Sequence, residues 1–315
     1  MSASPRVAGL VLNYNGRDVT LATLASLEHV DYPALDLLVI DNGSTDDSRA
    51  AIAAAHPDVP QLRVAVNRGV SWGLNHGLRW ALDRGYPYVL LMNNDIEVAP
   101  DMVRLLVAAA EADPTIGCVG PKAYYFSDRA RLWSAGGILR FRESVTRERG
   151  EGEIDRGQYD CDGEVPYVNG CAMLARREAI ERTGFWDPVY YVGVEDADWC
   201  VRMKRQGFRC HYAFRARLWH MVAYSLGVYR ASRTFHTGRS TAIFLRKYAR
   251  PSQFVAALAW FGAAMVAAYA RELPRRNQQA VVAKLRGFVE GLRVALPAIP
   301  EPPAVDPWTP PAPGR

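Results

Sequence analysis

Four apolar runs in the first hundred residues each stop at a cluster of Asn, Asp and Gly. Val7–Leu12 stops at Asn13-Tyr14-Asn15-Gly16, and Leu37–Ile40 at Asp41-Asn42-Gly43-Ser44-Thr45-Asp46. Leu62–Val66 stops at Asn67-Arg68-Gly69, and Tyr88–Met92 at Asn93-Asn94-Asp95. Short apolar runs without alternation read as strands buried on both faces, the condition of a parallel sheet. Helical patterns lie between them. Asp18 is placed to cap a helix carrying Leu21, Leu24 and Leu27, and Ser44 with Asp47 gives a second an acidic start. Residues 71–84 form a third, and Asp101 opens a fourth over Met102–Ala112 that Asp113-Pro114 closes. A further strand is expected at Ile116–Gly120. This alternation predicts an α/β fold around a mostly parallel sheet. The carboxyl ends of such strands share one rim, where ligands bind. One Asn/Gly cluster is merely a turn; four in succession mark a binding rim.

The side chains on that rim suit a nucleoside diphosphate. Asp41 can accept hydrogen bonds from a base imide or ribose hydroxyls, and Arg68 can reach a base carbonyl or a phosphate. Asn93 can bond a ribose, and Asp95 offers a hard oxygen to a divalent cation. Asn13, Asn15, Asn67, Gly69 and Asn94 complete the candidate rim. Neither G-x-x-x-x-G-K-[ST] nor G-x-G-x-x-G occurs, which excludes a P-loop or dinucleotide fingerprint. The five cysteines form no C-x-x-C pair, so reduced thiols and a cytoplasmic setting are expected. The stretch from Met1 to Pro5 lacks the basic and apolar parts of a signal peptide.

Farther along, the chain changes character. Residues 127–165 are charged and poorly periodic, and predict a long excursion or a loose hairpin (Trp133–Phe141). Regular structure is expected again at Val165–Ala175, Arg176–Thr183, Glu195–Gln206 and Phe208–Phe214. Residues 1–200 carry 19 Lys+Arg against 29 Asp+Glu, whereas residues 201–299 carry 18 against 2. A basic half of that size points to an anionic partner or membrane surface. Phe254–Ala270 contains no charge, and its length leaves open whether it spans, lies on or avoids a membrane. Residues 279–296 gather Val281, Leu285, Phe288, Val289, Leu292 and Leu296 on one face, with Lys284, Arg286 and Arg293 elsewhere. That pattern suits a helix lying on an anionic bilayer, and equally one packed on its own domain or in a homodimer. The expected division is a catalytic domain over 1–225 (halves 1–120 and 121–225), a basic helical extension over 226–296 and an unstructured Pro-rich tail over 297–315.

The four rim motifs, with Gly73 and Asn75 after the third, resemble the donor-site motifs of inverting family-two glycosyltransferases, in their rhamnosyltransferase-like branch. The resemblance continues through Asn169-Gly170-Cys171-Ala172, Gly184-Phe185-Trp186-Asp187, Glu195-Asp196-Ala197-Asp198-Trp199-Cys200 and His220, covering about residues 6–250. It implies a GT-A fold with a C-terminal helical extension. It also implies that Asp41 contacts the nucleobase and Asp95 binds Mg²⁺ or Mn²⁺. Asp196 would be the catalytic base beside Glu195, and His220 a further metal or diphosphate ligand. Asn169, Gly170, Trp186 and Asp198 join the expected substrate contacts, Trp186 as a face on which a sugar stacks. Like charge from Glu195 and Asp198 is expected to raise the pKa of Asp196. The D-x-D element departs from the pattern: it reads Asn93-Asn94-Asp95, with one carboxylate. Donors linked to dTDP, UDP or GDP and a glycan or lipid-linked acceptor follow by resemblance, at the inner face of the cell membrane.

Three rivals compete. A sugar-phosphate nucleotidyltransferase needs a Gly-rich, Arg-containing loop after the first strand, which Asn13–Asp18 does not supply. A processive polysaccharide synthase needs several spans and a Q-x-x-R-W motif, and Gln206 is followed by Gly207-Phe208-Arg209. A non-catalytic sugar- or membrane-binding protein on a degenerate scaffold is opposed by the retained Asp41, Asp95 and Asp196. Nucleic acid is not an expected partner, because no recognised fold or stacking motif accompanies the basic half.

Overall fold

A computed structural model describes residues 4–142, 144–221 and 230–302. The first half alternates β1 (Val7–Asn13), α1 (Arg17–Leu27), β2 (Leu35–Asp41), α2 (Ser48–Ala55), β3 (Gln61–Arg63), α3 (Val70–Asp83) and β4 (Tyr88–Asn93). Then come β5 (Ile96–Val98), α4 (Met102–Ala112), β6 (Ile116–Tyr125), β7 (Asp128–Ser134), β8 (Gly137–Leu139), β9 (Thr146–Glu148) and β10 (Gly163–Glu164). β11 (Ala172–Arg176), α5 (Arg177–Thr183), α6 (Glu195–Arg205) and β12 (Arg209–His220) precede the helices α7 (Ala231–Tyr248), α8 (Pro251–Glu272) and α9 (Gln278–Arg293).

One sheet runs through the molecule in the order β10-β12-β6-β11-β4-β1-β2-β3, with β5 on β12 and β7 on β6. β1 lies parallel to both β2 and β4, pairing Leu12 with Ile40 and with Asn93. The polar residues that end these strands therefore share a rim. β11 runs antiparallel between β4 and β6 and joins the two halves of the sheet. Apolar side chains alternate between its faces. Leu10 and Ile40 pack with Leu74 and Leu78 of α3, whereas Val11 and Val39 pack with Leu24, Ile52 and Leu106 on the other side. This two-sided burial is why these strands read as unbroken apolar runs.

Several local expectations are corrected. Asp18 lies inside α1, whose N-cap is Gly16 without a side-chain cap bond. β3 ends at Arg63, and Val66 beyond it is 61% exposed. The segment after β6 is not one loose hairpin: β7 folds back on β6, and β8 pairs with β9. β12 continues to His220, well past the expected end at Phe214. Cys118, Cys200 and Cys210, far apart in sequence, bring their thiols within 4.8 Å of one another in the core. On α9 the expected apolar face is split: Val281 and Phe288 are buried, while Leu285 and Val289 are exposed. The buried side meets α7 through Gly238, Gly287 and Gly291, where backbones come so close that a Cβ on Gly287 would lie 1.9 Å from the Phe235 carbonyl oxygen. The expected boundary at 225–226 and the tail from 303 lie outside the described residues.

Candidate active site

A cleft of about 340 Å³ opens at the rim of β1, β2 and β4. Of the rim residues expected from sequence, Asn15, Asn67, Gly69, Asn93, Asn94, Asp95 and His220 line it. Tyr14, Asn42, Tyr191, Val192 and Arg233 also line it.

The turns are locked by side chains bonding to backbone. Asn15, at φ 49°, accepts the N–H of Thr45 at 2.8 Å, which ties the first turn to the second. Asn67 accepts the Gly69 N–H at 2.8 Å, and Asn42 donates to the Gly69 carbonyl at 3.1 Å. Gly69 sits at φ 102°, and a Cβ there would lie 2.5 Å from the Tyr191 carbonyl oxygen. Only glycine allows this approach, which seats the loop before α6 against the donor turn. Arg68 is exposed and lies over the Trp72 ring at 5.4 Å.

Asp41 is fully buried at the end of β2. One oxygen accepts the Ser44 N–H at 3.2 Å, and the other has no hydrogen-bond partner. Asn13 is also fully buried. Its amide donates to Ser44 and Ser48 and accepts from Thr20 and Asn94, which braces the rim from beneath.

At the cleft wall His220 Nε2 stands 3.1 Å from Asp95 Oδ1, and both residues are largely buried. The pairing of β12 with β5 sets His220 opposite Ile96, and the Met221 N–H donates to the Asp95 carbonyl at 2.8 Å. An imidazole nitrogen and a carboxylate oxygen at neighbouring positions form a donor set that fits Mn²⁺ or Mg²⁺.

Glu195 and Asp196 begin α6, directly after Gly193 and Val194, both at positive φ. Asp196 accepts the Gly170 N–H at 2.8 Å. The neighbouring Cys171 carbonyl accepts the Asn93 N–H at 2.9 Å, so the turn that holds Asp196 is stitched to the end of β4. Burial pushes Asp196 up to about 6, against the Gly170 N–H, and burial with the adjacent Asp196 charge pushes Glu195 up to about 8.

The expected part of Asp198 is corrected. It is fully buried and bonded to Arg202, Lys247, Tyr190 and Tyr248. Burial raises its pKa, but Arg202 and Lys247 outweigh that and leave it lowered. Asp198 therefore neither touches substrate nor supplies a free charge beside Asp196; burial is the main cause of the Asp196 shift. Trp186 is corrected as well. It is 1% exposed and packs on Trp199 beneath Gly170, leaving no face for a sugar.

Glu148 was not singled out from sequence. It accepts from Tyr167 at 2.6 Å, from Asn169 at 2.9 Å and from Ser134. Asn169 in turn accepts the Cys171 N–H at 2.8 Å. Glu148 thereby props the turn that holds Asp196. Burial, with repulsion from Asp196, pushes it up to about 7. Arg233 was missed too: composition marked a basic region without singling out the cation that turns to the cleft. His236, Arg239 and Ser240 of α7 brace the loop before α6, by stacking on Tyr191 and by donating to the carbonyls of Val189 and Val192.

Residues 10–184 match the family described as Glycosyl transferase family 2. The chain belongs to this family. It is 27% identical over 243 residues to the N-acetylglucosaminyl-diphospho-decaprenol L-rhamnosyltransferase of Mycobacterium tuberculosis, covering 70% of this chain and 78% of that one. It is 23% identical over 223 residues to the poly-beta-1,6-N-acetyl-D-glucosamine synthase of Staphylococcus epidermidis, of which the match spans 51%. In fold it is similar to a mannosyltransferase from Pyrobaculum calidifontis solved with GDP-Man and Mn²⁺, at TM-score 0.60 and 21% identity, over 92% of this chain and 88% of that one. This glycosyltransferase thus has the GT-A fold that its sequence motifs implied.

Proposed function

We propose that this family-two enzyme moves a hexose, rhamnose or a similar sugar, from a nucleoside diphosphate to a hydroxyl of a glycan or lipid-linked acceptor, with inversion. The observation that carries this reading is the position of Asp196. A backbone N–H holds it on a turn bonded to the strand end that leads into Asp95. β2, β1, β4 and β11 are successive neighbours in the sheet, so the strand ends that carry Asp41, lead into Asp95 and follow the turn holding Asp196 adjoin one another. The acceptor oxygen attacks the anomeric carbon as the bond to the diphosphate breaks, and its proton passes to Asp196. A pKa near 6 suits that task, because the carboxylate is free at neutral pH and still basic.

The rest of the rim orients the donor. Asp41, whose second oxygen lies 3.7 Å from the Arg49 Nε without a hydrogen bond, is the candidate partner for a base N–H, and Arg68 is a second candidate for the base or a phosphate. Arg233, in the first turn of α7, offers positive charge to the diphosphate. Asp95 and His220 would hold Mg²⁺ or Mn²⁺, which when bound disperses the charge that grows on the leaving diphosphate. A lipid-linked acceptor places the reaction at the cytoplasmic face of the membrane.

Calorimetric titration with UDP, GDP, dTDP and CDP, each with and without Mn²⁺, tests the donor site. One nucleotide should bind at least about tenfold tighter than the others. Asp95→Asn should weaken Mn²⁺ binding, read by the paramagnetic signal of the free ion. Asp196→Asn should keep nucleotide binding and lose turnover of the matching nucleotide sugar. Equal turnover by the parent protein and Asp196→Asn would remove the base from the reading, and no binding of any nucleotide would favour a non-catalytic scaffold.

A further inference from the structure

α8 presents a bare apolar flank that needs a cover. From Ser252 to Ala270 it carries no charge. Ala257 and Phe261 are buried, and the Phe261 ring stacks on Phe288 of α9 at 3.9 Å. Val255, Trp260, Val266 and Tyr269 are 68%, 51%, 74% and 45% exposed. A surface helix ordinarily sets one apolar stripe against a polar face. α8 lacks the polar face, and an apolar patch of this extent marks an interaction site. By length and composition it is the one described helix able to cross a membrane.

Charge identifies the cover. Arg250 precedes α8, Arg271 and Glu272 end it, and Arg275 and Arg276 follow; Glu272 pairs with Arg271 and Arg275, which leaves a net positive charge at this end. Arg142 reaches over the Trp260 ring at 5.4 Å. On α9 the exposed Val282, Leu285 and Val289 alternate with exposed Arg286 and Arg293. A second copy apposed on this face would bring arginine clusters against each other, whereas anionic headgroups complement them. Trp and Tyr at the flank suit the membrane–water interface.

We propose that α8 docks this enzyme on an anionic lipid bilayer, with its exposed flank among the upper acyl chains and the terminal arginines at the phosphates. α8 lies on the surface and does not cross. Its inner face is occupied by α9, which carries Lys284 within 6.0 Å of the Phe261 ring and cannot follow into hydrocarbon. α9 is joined to α7 by the glycine seam, and α7 to the Val189–Val194 loop at the cleft. The docked helix is thus linked through α9 and α7 to the loop at the cleft. The inference rests on the exposure and charge of α8 itself, so it can fail while the transferase reading stands.

The test is co-sedimentation of the full chain with vesicles of phosphatidylcholine alone or mixed with phosphatidylglycerol. The protein should pellet with the mixed vesicles, and added salt should release it. Val266→Glu with Tyr269→Glu should weaken partitioning by about tenfold or more. Nucleotide binding and melting temperature, measured in the same preparations, should not change. Absence of binding to the mixed vesicles would overturn the proposal, whatever the variant does. So would equal binding by the variant, or a parent dimer that the two substitutions convert to monomers. Retention in the vesicle pellet through alkaline carbonate would instead mean that α8 spans.

Discussion

Replacing Asp196 by Asn should lower activity and raise stability together, with the second effect confined to neutral and alkaline pH. Burial pushes the folded-state pKa of this carboxyl from 3.8 to about 6. An acid with a higher pKa in the folded than in the unfolded chain binds more protons when folded. Its penalty is absent below the unfolded value, grows as pH rises, and is complete above the folded value. A shift of about two units is worth roughly 3 kcal/mol, and solvent at the partly exposed side chain reduces that to about 2 kcal/mol. The amide offers one acceptor oxygen where the carboxylate accepts from both Gly170 and Ala197. The lost bond costs about 1 kcal/mol at every pH. The variant should therefore be about 1 kcal/mol more stable than its parent at pH 8 and about 1 kcal/mol less stable at pH 4, a swing of roughly 3 °C in Tm. Scanning calorimetry of both proteins at the two pH values reads it directly. A Tm difference that stays constant across that range would mean that Asp196 titrates like a surface carboxylate, and the case for it as a tuned base would collapse.

Further outcomes follow from the same geometry. Glu148, pushed up to about 7, is mostly protonated where Asp196 titrates near 6, so Glu148→Gln should leave the acid limb of the pH–rate profile and the donor KM in place. A limb that moves to lower pH would mean that Glu148 is charged beside Asp196 and would refute this order of the two acids. Gly69→Ala combines a φ of 102° with a clash on the Tyr191 backbone, and should cost about 2 kcal/mol or more in thermal unfolding and weaken nucleotide binding. Lys247→Met leaves buried Asp198 with only Arg202 as a cationic partner, and strips Asp187 of its lysine. The loss should be about 3–5 kcal/mol by denaturant titration, and a change under 1 kcal/mol would refute it.

Much of the donor half was legible because its signals are local. β1, β2 and β4 are buried on both faces, so their apolar runs are unbroken and their Asn- and Asp-rich ends stand out. α4 was bracketed by Asp101 and Asp113-Pro114. What escaped depends on contacts distant in sequence. β5 is only three residues long, and it matters because it aligns Asp95 with His220. Glu148 lies in a charged stretch where nothing local separates a buried carboxylate from the solvated ones around it. Asp198 sits two residues from Asp196 in an acidic run, yet its partner Lys247 lies 49 residues away. Trp186 offered a residue type that serves equally for sugar stacking and for a core, and only packing decides between them.

The antiparallel strand β11 governs how such a molecule can open and close. It is laced to β4 through five residue pairs and also to β6, so the two halves of the enzyme share one backbone ladder. Many two-part enzymes admit and release ligands by swinging rigid halves about a hinge. Here that swing would tear hydrogen bonds out of the middle of the sheet. Entry and exit fall instead to short segments at the cleft mouth, chiefly the stretch of Tyr191 and Val192 that α7 holds from behind. If a conformational step limits turnover, it is the local loosening of that stretch, on the timescale of a loop and not of a domain.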